Sequence, residues 1–241
     1  MAHRLPAAGF VLAGALASSA CGPLTAPHSS AEAAPAHGAA TGTSPTLAQL
    51  EELPVRSPSS LADYSRESFG PTWSDEGTVG LSRNHCPTRQ DILARDLAEA
   101  VRAKDHCTVI SGVLHDRYTG KTIRFQRGPR TSLAVQIDHI VPLALAWQSG
   151  ARKLSAGQRL NLANDPENLV ASDGPTNAGK GAKDASMWLP PRGDAHCWYA
   201  SAQVRVKAKY RLSVSSAEKT AIRTALQSCP ASGQDKVGAA R

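Results

Sequence analysis

Apolar positions divide the chain from Thr88 onward into segments of two distinct periods. Ile92, Leu93, Leu97, Ala100 and Val101 recur at helical spacing, and Thr88 with Asp91 makes a capping start, so the pattern predicts a helix from Thr88 to about Arg102. Cys107 to Leu114 then reads as a strand, Asp116 to Gly120 as a turn, and Lys121 to Phe125 as a returning strand that alternates polar and apolar residues. Ala134 to Ile137 is a short apolar strand that delivers Asp138 and His139. Pro142 suits the first turn of a helix ending at Gly150. Arg152 to Ala163 predicts a second helix, Asn164 to Glu167 a turn, Asn168 to Val170 a very short strand, and Asp173 to Lys180 a further helix start. Beyond these, Trp188 to Pro191 is an extended packing segment and Cys197 to Leu212 a helix. A Ser215 and Glu218 capping box opens the last helix, which Cys229 closes.

The first 80 residues have a different texture. Residues 1–21 combine Arg4, an apolar run from Ala7 to Ala17 and small residues before Cys21, the pattern of an export signal. The run is too short to span a bilayer permanently. Two readings stay open: a plain cleavable signal, or a bacterial lipoprotein signal in which Cys21 is lipidated and attaches the protein to the outer face of a membrane. Residues 22–80 predict a disordered tether, rich in Ala, Pro, Ser, Thr and Gly, followed by an extended arm carrying Tyr64, Phe69 and Trp73. The predicted domain covers residues 81–230, and 231–241 form a tail.

Charge follows the same division. Residues 22–80 hold seven acidic residues against two arginines, whereas residues 81–230 hold 22 Lys and Arg against 12 Asp and Glu. A basic domain points to a polyanionic partner. Cys86, Cys107, Cys197 and Cys229 form an even set that fits an oxidising compartment, and the absence of CxxC spacing argues against a zinc knuckle. Three pairings are open. Cys86 with Cys107 and Cys197 with Cys229 is favoured, because each pair brackets one predicted helical region.

The chemistry concentrates between Ile137 and Lys180. Hydrolysis of a phosphodiester needs a water, a base in reach of it, and a cation to neutralise the oxygens. His139 suits the base, while Asp138 and Asn177 supply the hard oxygens that Mg²⁺ prefers, Mn²⁺ being an alternative. Lys180, one turn beyond Asn177, is expected to place an ammonium near the phosphate, and Arg124, Arg127 and Arg130 form a basic rim for substrate. Asp165 is left between a further metal group and an Asp-Pro turn.

DHIVP at Asp138, NLV at Asn168, then Asn177 and Lys180 resemble the HNH endonucleases. The surrounding text resembles their exported subgroup related to the C-terminal nuclease domain of GmrSD-type restriction enzymes. LARDL at Leu93, DHIVPLALAWQSGA at Asp138, LANDPENL at Leu162, MWLPP at Met187, CWYA at Cys197 and VKAKYRL at Val206 carry that likeness. The resemblance implies an α+β fold with a ββα-metal core, a helical insertion between His139 and Asn168, flanking helices and disulfide support. It makes Asn168 part of the catalytic motif, with a side chain that bonds backbone in the loop presenting the histidine. The function expected is an exported, metal-dependent DNA endonuclease without sequence specificity. The alternative is a non-catalytic envelope protein that binds nucleic acid or cell-wall polymer. The residues identify no protein partner.

Overall fold

The computed structural model describes residues 44–229. The signal, Cys21, most of the tether and the tail lie outside the described residues. Within them the chain forms α1 (Pro45–Glu52), α2 (Thr88–Asp96), β1 (Leu97–Arg102), β2 (Val109–His115), β3 (Thr122–Gln126) and β4 (Val135–His139). It continues through α3 (Leu143–Gln148), α4 (Ala156–Asn164), β5 (Leu169–Asp173), α5 (Gly174–Lys180), α6 (His196–Lys209) and α7 (Ser216–Gln227). The strands make two antiparallel sheets, a three-stranded one in the order β1-β2-β3 and a two-stranded one of β4 and β5. The fold is α+β.

One expected helix is shorter than its pattern. α2 stops at Asp96, and Leu97 turns to extended backbone and pairs with Leu114 of β2. The apolar spacing of residues 92–101 fits a helical face, but pairing to β2 supplies the backbone of residues 97–102 with partners, and tertiary pairing overrides a weak local propensity. The close approach of the two strands requires glycine at position 112, where a Cβ would lie 2.9 Å from that of Leu97. Val101, counted on the helical face, is instead exposed on β1.

Residues 44–80 also differ from expectation. Leu50 and Leu53 of the α1 segment are buried with Val204 of α6 and with Ile222 and Leu226 of α7. Phe69 is buried beside Trp147 of α3, with ring centroids 6.0 Å apart. Val55 bridges to Val214 in parallel, and Ser59 donates to the Gln148 carbonyl. The packed body therefore begins at least as early as Ser44, and a boundary at residue 81 is too late.

α2 fills the space between the two sheets. Ile92 and Leu93 pack with Val109, Leu114 and Phe125 from one sheet and with Val135, Ile137 and Leu169 from the other. Arg95 donates to the carbonyls of Pro166 and Leu169, and Asp96 accepts from the Ala171 backbone, so the LARDL segment caps the free edge of β5. The Cys86–Cys107 disulfide ties the approach to α2 to the approach to β2, and Cys197–Cys229 ties the start of α6 to the end of α7. On chain-entropy grounds each contributes about 3 kcal/mol.

Candidate active site

β4 and β5 pair with Asp138 opposite Val170 and His139 opposite Leu169, and α5 follows β5 directly. Adjacent strand residues face opposite sides, so Asp138 and His139 enter different surroundings. The imidazole of His139 stacks on Trp73, with centroids 5.8 Å apart and planes inclined by 13°. Its Nε2 lies 2.9 Å from the Ala163 carbonyl oxygen. A carbonyl only accepts, so Nε2 carries the proton and Nδ1 keeps its lone pair. Burial pushes the imidazole down to about 3, against the Ala163 hydrogen bond, which raises it, and His139 is neutral at physiological pH.

Asp138 faces the interior. Tyr118 Oη donates to its Oδ2 at 2.6 Å, and Lys180 Nζ lies 3.0 Å from both carboxylate oxygens. Lys180 also donates to the His139 carbonyl at 2.7 Å. Burial raises the Asp138 carboxyl above the usual carboxylate range and lowers the Lys180 ammonium, and each charge opposes the other's shift. Burial and the Asp138 charge hold the Tyr118 phenol well above its ordinary value, so it is a permanent donor here.

This corrects the placement expected of Lys180. Its side chain is 0% exposed and wholly engaged with the Asp138-His139 peptide, so it holds the motif from behind and presents no charge to a phosphate.

Asn168 clasps the loop after His139. Its Oδ1 accepts from the Val141 backbone at 2.8 Å, its Nδ2 donates to the carbonyls of Val141 and Leu162, and its own carbonyl accepts from Ile140. Gln203 and Tyr199 of α6 donate to the Ile140 carbonyl from the other side. Asp165 is a buried turn residue that accepts from Tyr210, Lys209 and the Glu167 backbone, and it lies at the end of α4.

Asp138, His139 and Asn177 line one cleft of about 320 Å³, with Arg66, Tyr64 and Pro142. Asn177 is delivered by α5, whose start abuts the entry to β4. A Cβ at Gly174 would sit 2.1 Å from the Leu133 carbonyl oxygen, so only glycine fits there. Asp173 caps α5 by accepting from the Thr176 backbone. Asn177 Nδ2 donates to Gln136 Oε1 at 2.9 Å, which leaves Asn177 Oδ1 without a protein donor among the described residues.

Arg124, Arg127 and Arg130 are exposed on or just after β3, and none of them lines this cleft. Arg66, Trp73, Tyr118 and Gln136 are the residues that sequence reasoning missed. Only Gln136, two positions before Asp138 and thus on the same strand face, carried a signal that could have found it.

Among the described residues no group of three or more His, Cys, Asp and Glu side chains is placed to hold a metal. The available donors are one carboxylate and one carboxamide, Asp138 and Asn177. Asp138 Oδ1 retains a lone pair beside its Lys180 hydrogen bond, whereas Oδ2 has both Tyr118 and Lys180 against it, and Asn177 Oδ1 has no protein donor among the described residues. Such a set fits a weakly held hard cation that takes its remaining ligands from water and phosphate.

Residues 88–225 match the family model described as GmrSD restriction endonucleases, C-terminal domain. An uncharacterized secreted protein of Arthroderma benhamiae is 36% identical over 182 residues, covering 75% of this chain and 82% of that protein. No solved structure matches significantly. With more than half of its length covered by that model, the chain belongs to the family of GmrSD restriction endonuclease C-terminal domains.

Proposed function

We propose that this chain is an exported, metal-dependent endonuclease that hydrolyses DNA phosphodiester bonds without sequence specificity through a ββα-metal core of β4, β5 and α5. His139 is the general base, and Asp138 with Asn177 holds one divalent cation, Mg²⁺ in the first instance. The observation that carries the reading is the state of His139. Its Nε2 proton is committed to Ala163, which leaves Nδ1 with its lone pair, and the residue lines a cleft that also holds Asp138 and Asn177.

In this mechanism His139 Nδ1 takes a proton from a water, whose oxygen bonds to phosphorus as the bond to one sugar oxygen breaks. That leaving oxygen is then protonated from solvent. A divalent cation, when bound, neutralises charge on the phosphate and leaving oxygens. Trp73 and Ala163 hold the imidazole ring, while Lys180 and Tyr118 fix the Asp138 carboxylate. Family membership supports nuclease chemistry. The signal-like residues 1–21, the two disulfides and the secreted relative support export.

The test is incubation of the purified protein with plasmid DNA and Mg²⁺ or Mn²⁺, with and without chelator, beside His139→Ala. Nicking or cleavage that needs the metal and is lost in the variant is the expected result. Activity that persists in the variant removes His139 from the base role. No cleavage with any divalent metal favours a protein that only binds nucleic acid or wall polymer.

A further inference from the structure

We propose that Arg66 holds a backbone phosphate of the polynucleotide beside His139, so that the arm from Tyr64 to Trp73 forms one wall of the active site. The inference rests on the nuclease reading above and names how that site grips its substrate. The arm lies outside residues 88–225, the part of the chain that the family model covers.

Three observations carry it. The first is position. Arg66 lines the cleft that holds Asp138, His139 and Asn177, and it also lines a narrow pocket with Trp73 and Ala163 that abuts the same histidine.

The second is charge. Among the described residues lining the cleft Arg66 is the one cation, since Lys180 is buried behind Asp138 and the β3 arginines lie elsewhere. A polyanion entering beside a carboxylate needs a counter-charge, and a guanidinium meets phosphate with two parallel N–H donors.

The third is availability. Arg66 is exposed, and among the described residues its guanidinium donates to no protein acceptor and pairs with no carboxylate. Neighbouring arginines are committed: Arg152 pairs with Asp63, and Arg159 donates to the carbonyls of Ser68 and Leu154.

The arm beneath Arg66 is firmly seated. Arg66 begins a single 3-10 turn that ends at Phe69, which is buried against Trp147, and Tyr64 packs edge-on against the same indole at 6.1 Å. Further along, the Trp73 carbonyl accepts from the Thr88 backbone and the Ser74 carbonyl from the Thr88 hydroxyl, which pins the arm to the start of α2. A rigid base with an uncommitted charged tip is the arrangement that binds a ligand at low entropic cost.

The experiment compares the whole protein with Arg66→Ala, Arg66→Lys and Lys104→Ala, the last removing an exposed charge in the turn between β1 and β2. Binding to a short fluorescein-labelled DNA duplex is followed by anisotropy in chelator across KCl concentrations, and cleavage is followed in Mg²⁺. Loss of one phosphate contact predicts that Arg66→Ala weakens binding about tenfold at low salt and lowers the slope of log K against log[KCl] by about 0.9. KM rises by a similar factor while kcat changes little. Arg66→Lys restores the slope and part of the affinity, and Lys104→Ala leaves the slope within error. If wild-type protein cleaves in a His139-dependent way while Arg66→Ala keeps wild-type slope and KM, the proposal is overturned and the active-site reading stands. If Arg66 controls the slope but no divalent metal supports cleavage, the phosphate contact stands and the nuclease reading fails.

Discussion

The ammonium of Lys180 sits 3.0 Å from both carboxylate oxygens of Asp138, with the lysine side chain 0% exposed and the aspartate 6%. The pair joins the last helical residue of α5 to the strand that carries the histidine, and Lys180 Nζ also reaches the His139 carbonyl. Helix and strand are thus locked together beside Asp138 and Asn177, the two proposed metal donors.

Removing one member of that pair leaves an uncompensated charge in the interior. Lys180→Met is expected to lower unfolding free energy by about 3–5 kcal/mol, read from urea denaturation. A loss below about 1 kcal/mol would show that Asp138 is hydrated or protonated in the folded protein.

His139 should behave as a neutral Nε2–H tautomer. In long-range ¹H–¹⁵N spectra Nδ1 is expected at the shift of an unprotonated ring nitrogen, with no titration between pH 5 and 8. The linkage follows from a folded value of about 3 against the ordinary 6.5. Between those values the unfolded chain binds a proton that the folded one does not. The stabilisation is therefore complete above about pH 6.5 and is lost as pH falls toward 3, at up to about 1.4 kcal/mol per pH unit from this group. Titration of the ring near 6.5 in the native protein would defeat the assignment.

Asn168→Ala deletes one acceptor and two donors that secure Val141 and Leu162, and it strands the Val141 N–H in the interior. A destabilisation of about 3 kcal/mol is expected by thermal or chemical denaturation. Because the loop it holds presents His139, any residual folded protein should also cleave more slowly. A variant as stable as wild type would mean that water or a shifted loop replaces these bonds.

Gln136 turns the Asn177 carboxamide so that its oxygen remains free. With that partner removed in Gln136→Ala, the Mg²⁺ concentration for half-maximal cleavage is expected to rise at least tenfold, with DNA binding in chelator unchanged. An unchanged metal requirement would exclude Asn177 Oδ1 as a metal donor or Gln136 as its guide.

Trp73 and Ala163 together fix the plane of the His139 ring. Trp73→Ala should reduce kcat about tenfold or more with little change in KM, and Trp73→Phe should recover most of it, since both aromatic faces can stack. Equal losses in the two variants would point to the indole itself and not to ring positioning.

The Ser215 and Glu218 capping box is present with both hydrogen bonds, and the two disulfides join the favoured cysteine pairs. The Asp138-His139 strand, the helix after Asp173 and the short strand after Asn168 were legible for the same reason: cap, turn and period are properties of neighbouring residues. The β1 strand was illegible because its apolar spacing suits a helix equally well, and only β2 across the sheet decides between them. Lys180 was misplaced for a related reason. Three residues beyond Asn177 it shares that helix face, and nothing local reveals that Asp138 and the His139 carbonyl wait beneath it.

What the amino-acid order determined alone is the set of reactive residue types, the motif spacing and the boundaries of strongly patterned elements, all governed by contacts within a few positions. Only the tertiary structure decided which side chains share the cleft. Arg66 and Trp73 approach His139 from more than 60 residues away, because Phe69 and Tyr64 bury against Trp147 and carry the arm with them. Such long-range burial depends on the summed apolar contacts of the whole core, and no local pattern encodes it.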